Sequence, residues 1–203
     1  THFNLGTALT AAGRIDDAIA EYESALRLKP EYAVAHNNLG SVLLAKGNLK
    51  DAALHYSRAV QIDPALAAAH NNLAKLLAFQ GNTKEALEHL ARALEIRPDY
   101  PEAHYNLART LLAVARPSEA AEHYRTALAL RPEWPPVLSE AAWLFATSPD
   151  SGVRNPNQAV SFAEKAVDLT KKRDHVALDV LAAAYAAVGR FDKAIATTRE
   201  AQE

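Results

Sequence analysis

The chain repeats itself with a fixed step of 34 residues, and this period constrains its fold more than any other feature. Prolines at positions 30, 64, 98 and 132 keep the step. Asn-Leu pairs beginning at residues 4, 38, 72 and 106 keep it too, as do alanines at 18, 52, 86 and 120. A regular period of this length predicts an array of similar units, each packed against its neighbours.

Residues 33–66 show what one unit contains. Apolar residues recur at helical spacing in two runs, one ending near Leu43 and the other starting at Leu49. Gly47 and Asn48 lie between the runs, and they suit the left-handed residue that ends one helix and the cap of the next. Pro64 cannot continue a helical hydrogen-bond ladder, so it closes the second run. The unit is therefore predicted to be two antiparallel helices joined by a tight turn.

The sequence predicts one array of about six such units, and the fold class is accordingly all-α. The units cover residues 1–32, 33–66, 67–100, 101–134, 135–174 and 175–203. The fifth is irregular because it carries an insertion at 147–155 with the composition of a loop. After it, Asn155 and Pro156 restart a helix as its cap and first residue.

This pattern resembles the tetratricopeptide repeat family along almost the whole chain. In the second unit, the residues that carry the resemblance are Leu39, Gly40, Gly47, Ala52, Tyr56, Ala59 and Pro64. The resemblance implies a right-handed superhelical solenoid in which the first helix of each repeat lines a concave groove. It also implies a non-catalytic protein-binding scaffold whose ligand is an extended peptide or a helix. The fifth and sixth units are similar to the last repeats of bacterial members, some of which carry an enzymatic or membrane portion elsewhere.

Four asparagines, Asn4, Asn38, Asn72 and Asn106, occupy a position that faces the groove in this family. An asparagine amide has two donors and an acceptor, so it can pair with a peptide backbone without reading side chains. The row resembles the asparagine ladder in the tetratricopeptide arm of protein O-linked N-acetylglucosamine transferases. The alternative is that these asparagines only follow the family consensus and are solvated or bonded within the scaffold.

Further along the first helices, the family pattern places Lys75, Arg109 and Trp143 toward the groove. Lys75 and Arg109 could hold a ligand carboxylate, the planar Arg fork being the more specific partner. Tyr105 and Trp143 are candidate apolar anchors, because aromatic residues often dominate interface energy. Trp143 could instead only fill space beside the irregular unit. The ladder ends after the fourth unit, since Glu140 stands where the next asparagine would be.

The sequence contains no motif for catalysis or for a cofactor. Nucleophile-elbow, HExxH, P-loop and dinucleotide glycine patterns are all absent. Glu140 and Asp150 are single carboxylates near a loop, a placement typical of caps or solvated charges. Histidines at 36, 70 and 104 each precede another by 19 residues, but this spacing does not gather metal ligands on one helix. They are expected to pack between paired helices, and no enzyme activity and no metal site are predicted.

Charge and composition indicate which classes of partner and which compartment are expected. The formal net charge is −2, so no basic stripe for nucleic acid is expected. The longest apolar stretch, around 180–188, is too short to span a bilayer. Cysteine is absent, which leaves the redox compartment undecided. A cytoplasmic location is the expectation, and a periplasmic one is the alternative.

Two rivals to a peptide-binding scaffold stay open. The chain begins with Thr1 part-way through a repeat, so it is expected to be a piece of a longer protein, and it could be the non-catalytic arm of an enzyme such as a protein O-glycosyltransferase. It could also self-assemble end to end into a homo-oligomer, because Phe191, Ala194 and Ile195 give the last helix an apolar face with no capping helix after it.

Overall fold

A computed structural model describes residues 1–202; residue 203, the last of the predicted sixth unit, lies outside the described part. Twelve α-helices and no strand occur within residues 1–202, which confirms the all-α prediction. The helices are α1 (His2–Ala11), α2 (Ile15–Leu28), α3 (Ala33–Ala45), α4 (Leu49–Ile62), α5 (Ala67–Phe79), α6 (Thr83–Ile96), α7 (Pro101–Ala113), α8 (Pro117–Leu130), α9 (Pro135–Thr147), α10 (Pro156–Thr170), α11 (His175–Ala187) and α12 (Phe191–Glu200).

Consecutive helices pair into hairpins, α1 with α2, α3 with α4 and so on to α11 with α12. Within the second hairpin, Gly47 adopts a φ of 84°, the left-handed conformation expected of the residue that ends α3. Ala115 takes the same place in the fourth hairpin with a φ of 56°. The tight turn therefore survives the loss of glycine there, although an alanine side chain fits this conformation less well.

The hairpins form two compact units, Thr1–Asp99 and Tyr100–Glu203, which are described separately. In the first unit, α3 packs against its partner α4 and also against α1, α2 and α5. The core of this unit is built from small residues beside large ones. Its central members are Ala18, Tyr22, Leu39, Val42, Ala52, Tyr56, Leu73 and Leu76.

Glycine allows a close approach between α3 and α4 within this core. A Cβ atom on Gly40 would lie 2.8 Å from the ring of Tyr56 and 3.2 Å from the carbonyl oxygen of Ala52. Both distances are shorter than ordinary van der Waals contact, so a side chain at this position would push α3 away from α4. The small residue allows the helices to come together, and the tyrosine ring fills the space beside them.

In the second unit, α9 packs against α10 and α11, and α8 packs against α9. Residues 148–155 form a loop between α9, which ends at Thr147, and α10, and part of this loop packs against the unit. Val153 is fully buried, and the backbone N–H of Asn155 donates to the carbonyl of Phe145 at 2.9 Å. The side chain of Asn155 then caps α10 by accepting from the N–H of Gln158 at 3.1 Å.

None of the helices in the described part of the chain is long and apolar enough to cross a membrane.

Candidate functional site

Asparagine side chains on α3 and α5 of the first unit are hydrogen-bonded to one another. Asn72 Nδ2 donates to Asn37 Oδ1 at 3.0 Å, which joins the two helices. Asn37 Nδ2 donates in turn to Asn38 Oδ1, and Asn71 Nδ2 donates to Asn72 Oδ1, both at 3.3 Å. Some amide donors and acceptors of the predicted ladder are therefore already hydrogen-bonded within the scaffold.

Two of these hydrogen-bonded asparagines, Asn37 and Asn71, are buried, and the sequence analysis did not identify them. The signal was present as an Asn-Asn pair repeated at 37–38 and 71–72. A buried amide needs hydrogen-bond partners, so a second asparagine beside each predicted one indicated bonding between repeats.

The outer asparagines keep some capacity for a ligand. Asn38 Nδ2 donates to no acceptor among residues 1–202, and Asn72 retains one N–H and one lone pair after its two bonds. Asn72 lines a shallow hollow of about 280 Å³ together with Ser41 and the exposed Lys75. Asn4 is exposed on α1. Polar groups that could hydrogen-bond to the backbone of a peptide ligand thus lie on the first unit.

In the second unit, Glu140 bridges three helices. Tyr105 on α7 donates its hydroxyl to Glu140 Oε1 at 2.8 Å, and Tyr124 on α8 donates to Oε2 at 2.9 Å. Arg109 Nε lies 3.6 Å from Oε2. The interpretation of Glu140 as a cap or a solvated charge was wrong, because three side chains from neighbouring helices converge on it.

The tyrosines stay protonated beside this carboxylate. Burial, followed by the hydrogen bond to Glu140, raises the pKa of Tyr105 to about 12. Burial, followed by the charge of Glu140, also raises the pKa of Tyr124. Both hydroxyls are therefore donors at neutral pH. Asp150, the other carboxylate noted in the sequence, is exposed in the loop before α10 and forms a turn there, since Oδ1 accepts from the N–H of Gly152 at 2.8 Å.

Of the anchors predicted for this unit, Tyr105 and Arg109 are engaged by the scaffold, whereas Trp143 is open to solvent. The ring of Tyr105 packs against Trp134 with centroids 5.1 Å apart, and its hydroxyl is bound to Glu140. Trp143 is 52% exposed. Asn106, on the same helix as Tyr105, is half-buried. Trp143 is thus the predicted anchor that remains available to a ligand.

Trp143 lines a cleft of about 900 Å³ that runs beside α9, which we call the α9 cleft. The cleft lies within the second unit, between α7 and α8 on one side and α11 on the other. Its apolar lining includes Leu112, Trp143, Leu144, Val176 and Val180, and its ionisable carboxyl groups are those of Glu140, Asp174 and Asp179. A mostly apolar concavity with a few polar groups is the usual form of a protein binding site.

The histidines lie between paired helices, as the sequence predicted. His36 faces His55, His70 faces His89 and His104 faces His123, each pair within one hairpin. Residues 1–202 contain no group of three or more His, Cys, Asp or Glu side chains placed to hold a metal ion.

Comparison with known proteins agrees with the repeat pattern. Models of the tetratricopeptide repeat match residues 3–67, 65–133 and 175–200. No curated protein matches the chain by sequence.

Several solved structures share the fold. The structure of pilF from Pseudomonas aeruginosa is 22% identical, covers 97% of this chain and 86% of its own, and has a TM-score of 0.81. YrrB, described as a tetratricopeptide protein with an unusual peptide-binding site, is 18% identical, with coverages of 89% and 90% and a TM-score of 0.71. A thermophilic tetratricopeptide protein of Thermus thermophilus is 23% identical, with coverages of 92% and 97% and a TM-score of 0.68.

The hairpins, the turn conformations and these matches lead to one assignment. The chain belongs to the tetratricopeptide repeat family, whose members are in general protein-interaction scaffolds without catalysis of their own.

Proposed function

We propose that this interaction scaffold binds an extended peptide segment of a partner protein, and that the α9 cleft is the main contact. The observation that carries the proposal is the exposure of Trp143 along an open cleft of about 900 Å³. Large aromatic side chains left open to solvent beside a concavity are typical anchors of protein interfaces.

The chemistry of the cleft suits a peptide side chain. An aliphatic or aromatic group lying on Trp143 would cover the indole ring and the neighbouring Leu144 and Val180, removing apolar surface from water. The likeness in fold to YrrB, which is described as having a peptide-binding site, is consistent with this use.

The asparagines are proposed to bind the ligand backbone. Asn38 and Asn72 retain amide groups that their bonds within the scaffold do not use, and such groups pair with peptide N–H and C=O groups of any sequence. Asn4 and Asn106 occupy the same repeat position and are assigned the same role. Lys75 beside Asn72 would add a positive charge for a ligand carboxylate. Arg109 and Tyr105 contribute by holding Glu140 at the edge of the α9 cleft.

A peptide-array screen tests the proposal. The parent chain is compared with Trp143→Ala and with the triple variant Asn38→Ala, Asn72→Ala, Asn106→Ala, and Phe191→Ala is the control because Phe191 is an exposed aromatic residue on α12. The expected result is a set of peptides that the parent and the control bind and that both test variants bind weakly. Equal binding by all four proteins, with circular dichroism showing all of them folded, would contradict the proposal.

Self-association is the second candidate, because one helix face carries exposed apolar residues. Phe191 and Ile195 on α12 are both more than half exposed. Light scattering over a range of concentrations tests this function. A dimer or larger species that Phe191→Ala and Ile195→Ala convert to monomer supports it, and a monomer at every concentration removes it.

A further inference from the structure

We infer that the α9 cleft selects a peptide segment in which an apolar side chain stands two residues from a lysine or arginine, and that Asp179 and Ser139 recognise its polar groups. This inference rests on the proposed function and names the class of partner. Charge complementarity and an unpaired buried hydroxyl on the floor of the cleft carry it.

The charged side chains that line the cleft are all acidic. They are Glu140, Asp174 and Asp179, and no lysine or arginine of the described residues lines it. Because the walls between these carboxylates are apolar, the field inside the cleft is less screened than on an open surface. A segment with a positive charge is therefore favoured over one with a negative charge.

The three carboxylates are not equally available. Glu140 accepts from two tyrosine hydroxyls and lies near Arg109, so its charge is largely compensated. Asp174 Oδ1 caps α11 by accepting from the N–H groups of Val176 and Ala177 at 3.0 and 3.3 Å. Asp179 is exposed and accepts no hydrogen bond from any group in residues 1–202. Asp179 is thus the carboxylate free to pair with an incoming cation.

The position of Asp179 sets the spacing of the ligand groups. Asp179 lies on α11 next to Val180 and one turn after Val176, and Trp143 lies on α9. Successive side chains of an extended segment point to opposite sides, so side chains two residues apart enter the cleft together. An apolar side chain resting on Trp143 and Val180 therefore leaves Asp179 to a lysine or arginine two residues along the segment.

Ser139 supplies an independent observation. It lines the cleft, the residue is 5% exposed, and its Oγ has no hydrogen-bond partner among residues 1–202. Buried hydroxyls in proteins are nearly always paired, because leaving one unpaired costs folding free energy. Rotation of the side chain about χ1 toward the cleft would let this hydroxyl pair with a backbone N–H or C=O of a bound segment.

The test compares two short labelled peptides by fluorescence anisotropy. One repeats leucine, serine, lysine and serine, so that leucine and lysine share a face, and the other has glutamate in place of each lysine. We expect the lysine peptide to bind about tenfold more tightly, since attraction to the acidic lining replaces repulsion. Asp179→Asn should weaken the lysine peptide about two- to fivefold, as expected for a partly exposed ion pair, and leave the glutamate peptide unweakened. The matched control Asp192→Asn makes the same substitution on α12, away from the cleft, and should change neither affinity.

The outcomes separate the inference from the proposed function. Preference for lysine that Asp179→Asn reduces and Asp192→Asn preserves supports the inference. Equal binding of both peptides, weakened for both by Trp143→Ala, overturns the charge selection while leaving peptide binding in the cleft intact. A preference for lysine that both aspartate variants reduce equally overturns the role of Asp179, because it then reflects net charge alone. Binding of neither peptide overturns the inference, and the peptide array decides the proposed function separately.

Discussion

The Nδ1 atoms of His36 and His55 lie 2.9 Å apart, so only one of the two facing nitrogens carries a hydrogen. His36 Nε2 lies 3.0 Å from the carbonyl oxygen of Pro30, and it must carry a hydrogen to make that bond. His36 Nδ1 is then the acceptor and His55 Nδ1 the donor. His70 and His89, and His104 and His123, repeat the 2.9 Å contact.

These pairs predict that stability falls as the solution is acidified. Burial, followed by the charge of His36, lowers the pKa of His55 below 6.5, and burial lowers the pKa of His89 and His123 as well. The unfolded chain, with ordinary histidines, then binds more protons just below pH 6.5 than the folded chain does. The free energy of unfolding should therefore decrease between about pH 7 and pH 5, which urea titrations at several pH values would measure.

The first repeat offers a control for this prediction. There His2 Nδ1 contacts Glu21 at 2.6 Å, at the same separation of 19 residues along the chain. In His55→Glu, the imidazole whose pKa burial lowers is removed and a carboxylate takes its place opposite His36, so the decrease on acidification should become smaller. An unchanged slope would show that other groups cause it.

Gly40→Ala is expected to destabilise the first unit. The new methyl group would overlap the ring of Tyr56, and overpacking of this kind costs about 1–3 kcal/mol. Alanine gains about 1 kcal/mol over glycine inside a helix, so a net loss is expected in chemical denaturation. The loss should shrink or reverse in the Tyr56→Leu background, because the third repeat carries the combination Ala74 and Leu90, both fully buried. Equal losses in both backgrounds would contradict this reason.

Ser139→Ala is expected to raise stability and to lower affinity. Removing an unpaired buried hydroxyl should raise the free energy of unfolding by about 1 kcal/mol. The control Ser24→Ala should give no such gain, because the Ser24 hydroxyl donates to the carbonyl of Ala20 at 2.8 Å. Higher stability with unchanged binding of the leucine–lysine peptide would exclude Ser139 from the recognition of the ligand.

Glu140→Gln is expected to loosen the contact between α7, α8 and α9. Each tyrosine would lose a bond to a charged acceptor, and because the carboxylate is partly exposed the loss of stability should be about 1–2 kcal/mol. The pKa of Tyr105 should fall from about 12 but stay above its ordinary value, since burial is the larger cause. Ultraviolet absorbance during alkaline titration would measure it. Glu133→Gln, at an exposed position, should leave both quantities unchanged.

The period of the chain was sufficient to predict the hairpins and their turns. Local rules decide these features: Gly47 suits a left-handed turn, Pro64 ends a run, and Asn155 caps a helix within its own segment. Each depends on neighbours a few residues away. Short stretches of sequence were therefore enough to predict where these helices begin and end.

The contacts of the candidate site were harder to predict, because they join residues about one repeat apart. Asn72 and Asn37, like Tyr105 and Glu140, are separated by 35 residues. Whether such side chains meet depends on the rotation of each helix and on the rotamers chosen. Trp143 was predicted as an anchor from its repeat position, whereas the α9 cleft and the unpaired hydroxyl of Ser139 appear only when α9 and α11 are brought together.

The amide bonds on the first unit all run in one direction. Asn71 donates to Asn72, Asn72 to Asn37 and Asn37 to Asn38, so hydrogen-bond donors are left over at the Asn38 end. A peptide backbone also has a direction, since its N–H and C=O groups are fixed by the order of its residues. Because the asparagine amides all point the same way, this face should bind a peptide and the peptide of reversed sequence with different affinities.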